Sequence, residues 1–395
     1  MRLRRRDVLP VLALALVCVG LWLMPSAKTV AGEPGSAVRA RVMRVDDADV
    51  KKLGLLDYGS QHLEVKVLAG AEKGRTLKAN NEIRAQLDLD KRFAPGDTAV
   101  VVIPPGGMKE GETVVARDHW RLGWAGLLFG AFCVLLCVFG GWTGAKALFS
   151  FLFSCLVVWK LVVPLALAGW SARAVSFVAV CVLTAVIMYL VAGPTRKGVA
   201  ATLGALLGVL AGLVLADLFA WLMKINGATL PFVQTLLYSG YETLDLADIF
   251  VGAMVLASSG AVMDLAMDIA AGIEEVARHN PALPRRELCL SGLRIGRSVV
   301  GTMTTTLLLA YSGGYLTLLM AFAAQGTRPL DFLNSTLVSA EVVKTLVGSF
   351  ALVLVAPFTA FVGALVLAPA PLRSAPFRIP SRPFQAPAIE KKEKT

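Results

Sequence analysis

Long apolar runs dominate the sequence, and short polar segments separate them. One run of about 17 apolar residues follows the basic N-terminus, and seven more lie after residue 118. A run of roughly 20 apolar residues is long enough to cross the hydrocarbon core of a bilayer as a helix. The pattern therefore predicts a mainly α-helical protein, a polytopic transmembrane bundle of about eight spans. The later spans are predicted at 122–140, 147–168, 173–191, 199–223, 249–273, 298–322 and 342–367.

The first apolar run lies within residues 1–29, behind a cluster of arginines. Two interpretations remain open: an uncleaved membrane anchor, or a signal peptide cleaved near Ala31. No clean A-x-A site follows the run, so the sequence favours the anchor. Both interpretations place the next segment outside the cytoplasm.

Residues 30–118 contain no span and read as a small exported β domain. Leu63, Val65 and Val67 share one face of a strand, and polar residues occupy the positions between them. Turns such as Gly59-Ser60 separate about six short strands, which predicts a small barrel of oligonucleotide-binding-like topology. The domain is expected to be a spacer or a contact surface for a protein partner, not a nucleic-acid binder, because no face interleaves aromatic and basic residues. The strands are predicted at 37–45, 61–68, 75–79, 83–87, 98–103 and 112–117.

Composition and charge agree with a membrane location. Of the 395 residues 56% are hydrophobic, and the mean hydropathy of +0.66 is that of a membrane protein. The net charge of +11 does not indicate nucleic acid here, because the basic residues cluster at span ends and in the C-terminal tail. The sequence thus predicts a seven-span helical domain over 119–368 and a disordered basic tail over 369–395.

The distribution of lysine and arginine sets the predicted orientation. With the N-terminus in the cytoplasm, the short outer connections hold only Arg173, Lys224 and Arg328, and the cytoplasmic segments hold many more. Cytoplasmic loops are the ones enriched in lysine and arginine. We therefore expect both termini in the cytoplasm and residues 30–118 outside it.

Cysteine and histidine usage indicates neither a disulfide framework nor a metal site. None of the six cysteines lies in the exported domain, and the three histidines are scattered. No serine–histidine pair, HExxH, GxGD or P-loop pattern is present. The sequence predicts no metal, no cofactor and no enzymatic activity.

The sixth span carries two carboxylates inside an apolar run. Asp264 and Asp268 are four residues apart, so a helix places them on one face, and Glu275 continues that face toward the end of the span. Each carboxylate near a bilayer centre costs about 2.5–3.5 kcal/mol on insertion scales. Residues retained at that cost are candidates for binding a proton or a cation.

The same stretch carries a resemblance to a known family. GAVMDLAMDIAAGIEE, followed by NPALPRRELCLSGLRIGRSVVGTMTTTLLLAYSGG, resembles the signature region of the YibE/F family of bacterial multi-spanning membrane proteins. The resemblance covers most of residues 38–365. It implies a multi-pass protein of the bacterial inner membrane and places Arg294 and Arg297 in a cytoplasmic motif, but it implies no settled activity. Asp268 stands where the family pattern has a small polar residue, and Thr305 stands where it has asparagine.

Two further features inside spans have competing interpretations. Lys160, deep in the third span and followed by Pro164, either pairs with Asp264 or Asp268 or reaches to the bilayer surface. Hydroxyl side chains of the seventh span either line a pathway or bond to their own helix. These hydroxyl residues are Thr302, Thr305, Thr306 and Ser312.

Two features lie near the outer ends of spans. Glu242, Asp245 and Asp248 precede the sixth span, as an acidic outer vestibule for cations or as a solvated helix N-terminus. In the eighth span Glu341 and Lys344 are placed to form a local ion pair.

The fifth span has small residues at every fourth position, which allows two helix backbones to approach closely. Alanines of the sixth span, 253, 257 and 261, are the predicted partner stripe. Tight bundle packing is the favoured interpretation over a moving gate. The glycines of this stripe are Gly204, Gly208 and Gly212.

These features support two functions from different classes. The leading hypothesis is a permease or channel-like transporter of a small solute or ion, in which Asp264 carries a proton or binds a cation. The alternative is a non-transporting scaffold or accessory protein that holds a partner through its exported domain. The lipid bilayer is the one partner common to both.

Overall fold

The structure is a computed structural model that describes residues 5–24, 35–87, 89–104 and 112–368. The predicted tail 369–395 and the cleavage site considered near Ala31 lie outside these residues. Contacts divide the chain into two compact units. The barrel unit comprises Met1–Val191 and Ala220–Ala253, and the bundle unit comprises Ala192–Phe219 and Met254–Thr395.

The predicted β barrel is confirmed, with five strands rather than six. The strands close in the order β1-β2-β3-β5-β4, and every neighbouring pair is antiparallel except the parallel pair β3 and β5. This is a small Greek-key barrel of the predicted topology. The strands are β1 (Ser36–Leu53), β2 (Leu56–Val67), β3 (Thr76–Arg84), β4 (Thr98–Ile103) and β5 (Thr113–His119).

The apolar faces of the strands form the barrel core. Leu63, Val65 and Val67 of β2 are buried as predicted, and Phe93 from the connection before β4 packs among them. Alternating burial along each strand puts the charged positions outside. The core thus follows directly from the period-two pattern of the sequence.

A buried amide pair explains why two predicted strands are one. The Asn81 side chain lies inside the barrel and donates to Gln61 Oε1 at 3.2 Å and to the Lys91 carbonyl at 2.7 Å. Gln61 Oε1 also accepts from the main-chain N–H of Phe93 at 3.0 Å. Because these bonds hold Asn81 in the barrel, β3 continues through a polar stretch that the sequence pattern presented as a gap.

The predicted turn at Gly59-Ser60 is wrong, because both residues lie inside β2. The chain reverses at Gly54, whose φ of 63° is accessible to glycine at no steric cost. Gly59 pairs with Val50, and a Cβ there would overlap the Asp49 carbonyl oxygen. Gly59 is therefore needed for close approach of two strands rather than for a turn.

Eleven helices are present in the described residues. The sixth predicted span runs as one helix, and the seventh is divided into two that are bent by 61°, next to the Gly313-Gly314 pair. They are α1 (Arg5–Leu23), α2 (Leu122–Val157), α3 (Val163–Leu167), α4 (Ala172–Ala192), α5 (Arg196–Leu222), α6 (Val233–Tyr238), α7 (Leu246–His279), α8 (Arg285–Gly314), α9 (Leu316–Ala324), α10 (Pro329–Asn334) and α11 (Thr336–Leu367).

Several of these helices are long and apolar enough to cross a membrane. Within the described ranges there are five such helical segments, or six when the bent pair α8 and α9 counts as one. The shorter apolar part of α1, Val11–Leu23, is below that length. This composition indicates a membrane protein, and the count of eight spans stays a prediction.

The longest segment, Leu122–Leu167, is a hairpin rather than one crossing. A straight helix of this length would measure about 69 Å, more than twice the hydrocarbon thickness. Gly141 has non-helical angles, φ 54° and ψ −128°, and the chain folds back there. The rings of Phe129 and Phe151 consequently lie 6.3 Å apart, although a straight helix would separate them by about 33 Å.

A π-helical turn, Val158–Val162, joins α2 to α3. Pro164 has no N–H to donate to the carbonyl of Lys160, so the regular hydrogen-bond ladder cannot continue through this point. The wider turn accommodates that loss without breaking the helix. It also places Lys160 inside the irregular turn.

In the bundle unit, α8 packs along α11. Gly292 lies against Ala360 and Gly296 lies against Ala356, so small residues meet along this contact. Close backbone approach between small residues is how helices associate without a hydrophobic driving force in lipid.

Candidate functional site

Helix α7 has one buried face and one exposed face within the described chain. The exposed face is narrow and combines small residues with the carboxylates. The buried face is apolar and consists of Val262, Leu265, Ala266, Ile269, Ala270 and Ile273. The exposed residues of α7 are Ala253, Ala257, Gly260, Asp264, Asp268 and Glu275, with Arg278 and His279 in its last turn.

Asp264 and Asp268 lie together on this exposed face, as their spacing predicts. Residues four apart on a helix are neighbours on its surface, so two ionised carboxylates at these positions repel each other. None of the described side chains forms a hydrogen bond or an ion pair with either carboxylate. Two unpartnered carboxylates in an apolar helix require a proton, a cation or another chain to balance them.

Helix α8 lies antiparallel beside α7. A Cβ on Gly296 would meet Ile269, and a Cβ on Gly292 would meet Ile273. This register places Asp268 at the depth of Arg297 and Asp264 at the depth of Gly301. Arg297 and its neighbour Arg294, one turn earlier, are both exposed.

The four hydroxyl candidates of α8 bond back to their own helix. Thr302 donates to the Val299 carbonyl at 2.9 Å, and Thr305 donates to the Gly301 carbonyl at 3.0 Å. Thr306 and Ser312 make the same kind of bond three or four residues back. These bonds satisfy the hydroxyls locally and leave a polar edge on α8, while a pathway role stays a prediction.

Glu275 differs from the two aspartates on its helix face. Its carboxylate forms a bidentate ion pair with Arg278 at 2.6 and 2.7 Å and a contact with His279 at 3.1 Å. These partners lie on the same helix, one turn later, and all three side chains are exposed. The geometry is that of a solvated helix end.

Lys160 has a partner close to the first helix. Its ammonium donates to the carbonyl oxygen of Met24 at 2.9 Å. That carbonyl follows the last turn of α1, where free carbonyls attract cations. The predicted pairing of Lys160 with Asp264 or Asp268 joins the two units and stays a prediction.

The acidic residues before α7 are arranged to begin a helix. Asp245 Oδ1 caps it by accepting from the N–H groups of Ala247 at 2.9 Å and Asp248 at 3.1 Å. Asp248 is 8% exposed, forms an ion pair with Arg173 Nε at 3.0 Å and accepts from Ser171 Oγ at 2.9 Å. Its charge is therefore compensated within the protein.

That arrangement limits the predicted vestibule. Glu242 is exposed, and the cap residue Asp245 is exposed as well, but Asp248 is buried. Cation attraction at this entrance stays a prediction that rests on Glu242 and Asp245.

The glycine stripe of α5 lies against α11, not against the predicted alanine stripe of α7. A Cβ on Gly204 would overlap Thr359, one on Gly208 would lie 2.8 Å from Val355, and one on Gly212 would lie 2.9 Å from Ala351. Val262 of α7 also approaches Gly208. The predicted partner was wrong because spacing identifies a packing face but not which helix covers it.

The structure also draws attention to residues that sequence reasoning passed over. Asp217 lies half-buried in α5, inside the predicted fifth span, and it has an interaction partner in the chain. The signal was available, because a lone carboxylate in an apolar run is unusual. Glu274 pairs with Lys197 at 3.1 Å where α5 begins and α7 ends, and this pair joins elements too distant in sequence to be predicted.

The chemistry of the described residues offers no metal centre. No group of three or more histidine, cysteine, aspartate or glutamate residues within that part of the chain is arranged to hold a metal ion. The candidate site therefore consists of the α7 carboxylates that have no partner among the described residues.

Glu341 and Lys344 form the predicted local ion pair at 2.7 Å, with both side chains largely buried.

Comparison with known proteins identifies the helical region. A family model described as YibE/F-like protein matches residues 128–369, more than half of the chain. No curated protein and no solved structure gives a match. The matched region begins in α2 and contains the whole of α7 and α8.

Proposed function

The chain belongs to the YibE/F-like family, and from that premise we propose that it is a permease or channel-like transporter of a small solute or ion. One observation carries the proposal: Asp264 and Asp268 are exposed on an apolar helix and have no hydrogen-bond or ion-pair partner among the described residues. Charge in a bilayer is costly unless it is neutralised. Reversible neutralisation by a proton or a cation is the chemistry of a coupling site.

Asp264 is the residue that carries this chemistry, and Asp268 assists it. The two carboxylates repel each other when both are ionised. This repulsion favours a state in which the pair holds one proton or one monovalent cation between them. A proton or a monovalent cation supplies that charge and leaves when the site opens to the other side. The hydroxyl edge of α8 at a similar depth offers oxygen atoms along the path.

The transporter lies in the bacterial inner membrane with eight spans. Both termini are cytoplasmic and residues 30–118 lie outside, in the orientation that the lysine and arginine distribution favours. The exposed acids Glu242 and Asp245 then face the outside and concentrate cations at the entrance.

Flux measurements in proteoliposomes test the proposal. Ions and small metabolites are screened with the wild-type protein, and Asp264→Asn should lower the flux of the transported species by about tenfold or more. Asp264→Glu should retain part of the flux with a changed pH dependence. Glu275→Gln is the matched control, since Glu275 shares the face but is paired at the helix end. A fully active Asp264→Asn protein would reject the transporter.

The scaffold remains the second candidate because the barrel carries an open cleft. The cleft has a volume of about 780 Å³, and its lining mixes both charge signs with exposed apolar side chains. Such a lining suits a protein partner. For a scaffold, Arg117→Glu in the cleft should abolish the cellular function, whereas Asp264→Asn should leave it unchanged. The lining includes Arg84, Leu89, Lys91, Val115, Arg117 and Asp118.

A further inference from the structure

Two exposed faces of the bundle unit complement each other. The acidic face on α7 comprises the exposed residues Ala257, Gly260, Asp264 and Asp268, so two small residues precede the two carboxylates. The arginine face on α8 carries two cations followed by two large apolar side chains. It comprises Arg294, Arg297, Leu308 and Leu309, with the two leucines 46% and 65% exposed.

The faces cannot satisfy each other within one chain. The Ile295 side chain of α8 packs against Gly272 of α7, so this side of α8 faces α7. Arg297 follows two residues later and is therefore turned by about 200° around the helix. It points away from α7, although it lies at the depth of Asp268.

Because Asp268 and Arg297 lie at the same depth along the bundle, the acidic face of one copy is complementary to the arginine face of another. A two-fold axis along the membrane normal preserves depth, so Asp268 of one copy meets Arg297 of the other, and the reverse. In the register that pairs Ile269 with Gly296, Ala257 lies at the depth of Leu308. A large side chain on one copy then faces a small one on the other.

We propose that α7 and α8 form the interface of a homodimer, in which the acidic face of each copy covers the arginine face of its partner. Charge complementarity at equal depth selects a second copy as the occupant. Pairing compensates a carboxylate and a guanidinium that have no ion-pair partner among the described residues of one copy. Small residues opposite large ones allow the helix backbones to approach. The interface is compatible with a transporter and with a scaffold.

Cross-linking between differently tagged copies tests the interface directly. In a protein whose six native cysteines are replaced, one copy carries Asp268→Cys and the other carries Arg297→Cys, and both are oxidised in the membrane. We expect a covalent dimer that carries both tags. Val353→Cys in place of Arg297→Cys is the control, because Val353 is exposed on α11 within about one turn of the same depth.

A charge exchange tests the pairing. In liposomes of graded protein-to-lipid ratio, Asp268→Arg or Arg297→Asp alone should lower the dimer fraction, with association weakened about tenfold. The two changes combined should restore it. If either single exchange fails to insert, Asp268→Asn and Arg297→Gln remove one charge each and should weaken association in the same direction.

The outcomes distinguish this interface from the proposed transport. Asp264→Asn should stop flux but weaken association less than Asp268→Asn does, because Asp268 lies at the depth of Arg297 and Asp264 lies at the depth of Gly301. A monomer at all protein-to-lipid ratios, the absence of a covalent dimer that carries both tags, or equal cross-linking through Val353→Cys would each overturn the dimer. The last result would assign the cross-link to random collision.

Discussion

At the residue scale, the polar groups of this protein fall into compensated and uncompensated sets. Asp248, Lys160 and the four hydroxyl candidates of α8 each have a partner within hydrogen-bond distance. Asp264 and Asp268 have none among the described residues. The difference matters because a partnered buried group serves the fold, whereas an unpartnered one is retained at a cost and is the better functional candidate.

Asp248→Ala should lower stability. The change leaves Ser171 Oγ and the Arg173 main-chain N–H without their acceptor, at a cost of about 1–3 kcal/mol. Arg173 is 43% exposed and can turn to water, so the lost ion pair adds little. Thermal unfolding in detergent measures the effect. Glu242→Ala, an exposed acid nearby, is the control, and an equal loss for both would contradict a specific role for Asp248.

The ionisation of Asp118, at the end of the barrel, should make the stability of the protein depend on pH. Partial burial alone would raise its pKa, but the side-chain hydrogen bond from Arg121, the main-chain N–H of His119 and the nearby positive charges of Arg121 and Lys91 hold the pKa below its usual value of 3.8. A depressed pKa contributes stability above the usual value, and that contribution is lost as the pH falls through the folded pKa.

The measurement compares the wild type with Asp118→Asn. The wild-type protein should unfold at a higher temperature at about pH 7, and the difference should vanish as the pH falls below the usual value of 3.8 and through the lower folded pKa. A difference that grows on acidification would have the wrong sign. The effect should be small, because the ion pair is exposed.

At the scale of elements, single glycines decide how long apolar segments fold. Gly141 reverses the chain within the segment Leu122–Leu167, between the spans predicted at 122–140 and 147–168. Gly144 then lies so close to the preceding arm that a Cβ would overlap the Leu136 carbonyl oxygen. The hairpin therefore depends on Gly141 for a backbone conformation that favours glycine, and on Gly144 for close approach of the two arms.

Gly144→Ala should open or destabilise the hairpin. Overlap with a backbone oxygen cannot be relieved by a rotamer change, so a loss of roughly 1–3 kcal/mol is expected. Gly140→Ala is the matched control, since nothing lies within 4 Å of a Cβ there. A pair of cysteines at Phe129 and Phe151, in a cysteine-free background, reports the hairpin through cross-linking. Undiminished cross-linking in the Gly144→Ala protein would contradict this role.

At the scale of the whole molecule, the distribution of lysine and arginine along the chain predicts its orientation in the membrane. Basic residues collect on one set of connections, and the barrel lies between the first two predicted spans. Topology in membranes follows this asymmetry over short loops. The candidate site is therefore expected near the cytoplasmic half of the bilayer, since α7 continues into a basic loop.

Labelling from each side of the membrane tests this orientation. In a cysteine-free background, Leu55→Cys in the β1–β2 turn and Asn280→Cys between α7 and α8 are both exposed positions. An impermeant reagent applied outside should label the first and not the second. Labelling of both in intact cells, or of Asn280→Cys alone, would contradict the predicted topology.

Much of the fold was determined by local patterns in the sequence. Alternation placed Leu63, Val65 and Val67 in the barrel core, and apolar length located the helices, because both signals are read within one element. The family assignment came from the motif around Asp264 and is confirmed by the match over residues 128–369. The face shared by Asp264 and Asp268 follows from helical periodicity.

Tertiary structure decided which groups meet. The partner of the α5 glycines is α11, the partner of Lys160 is the carbonyl of Met24, and Asn81 continues a strand because Gln61 reaches it across the barrel. Each of these contacts joins residues far apart in sequence. Spacing along one element carries no information about the element opposite, so a sequence can name a face that must be covered, and only the packed chain supplies what covers it.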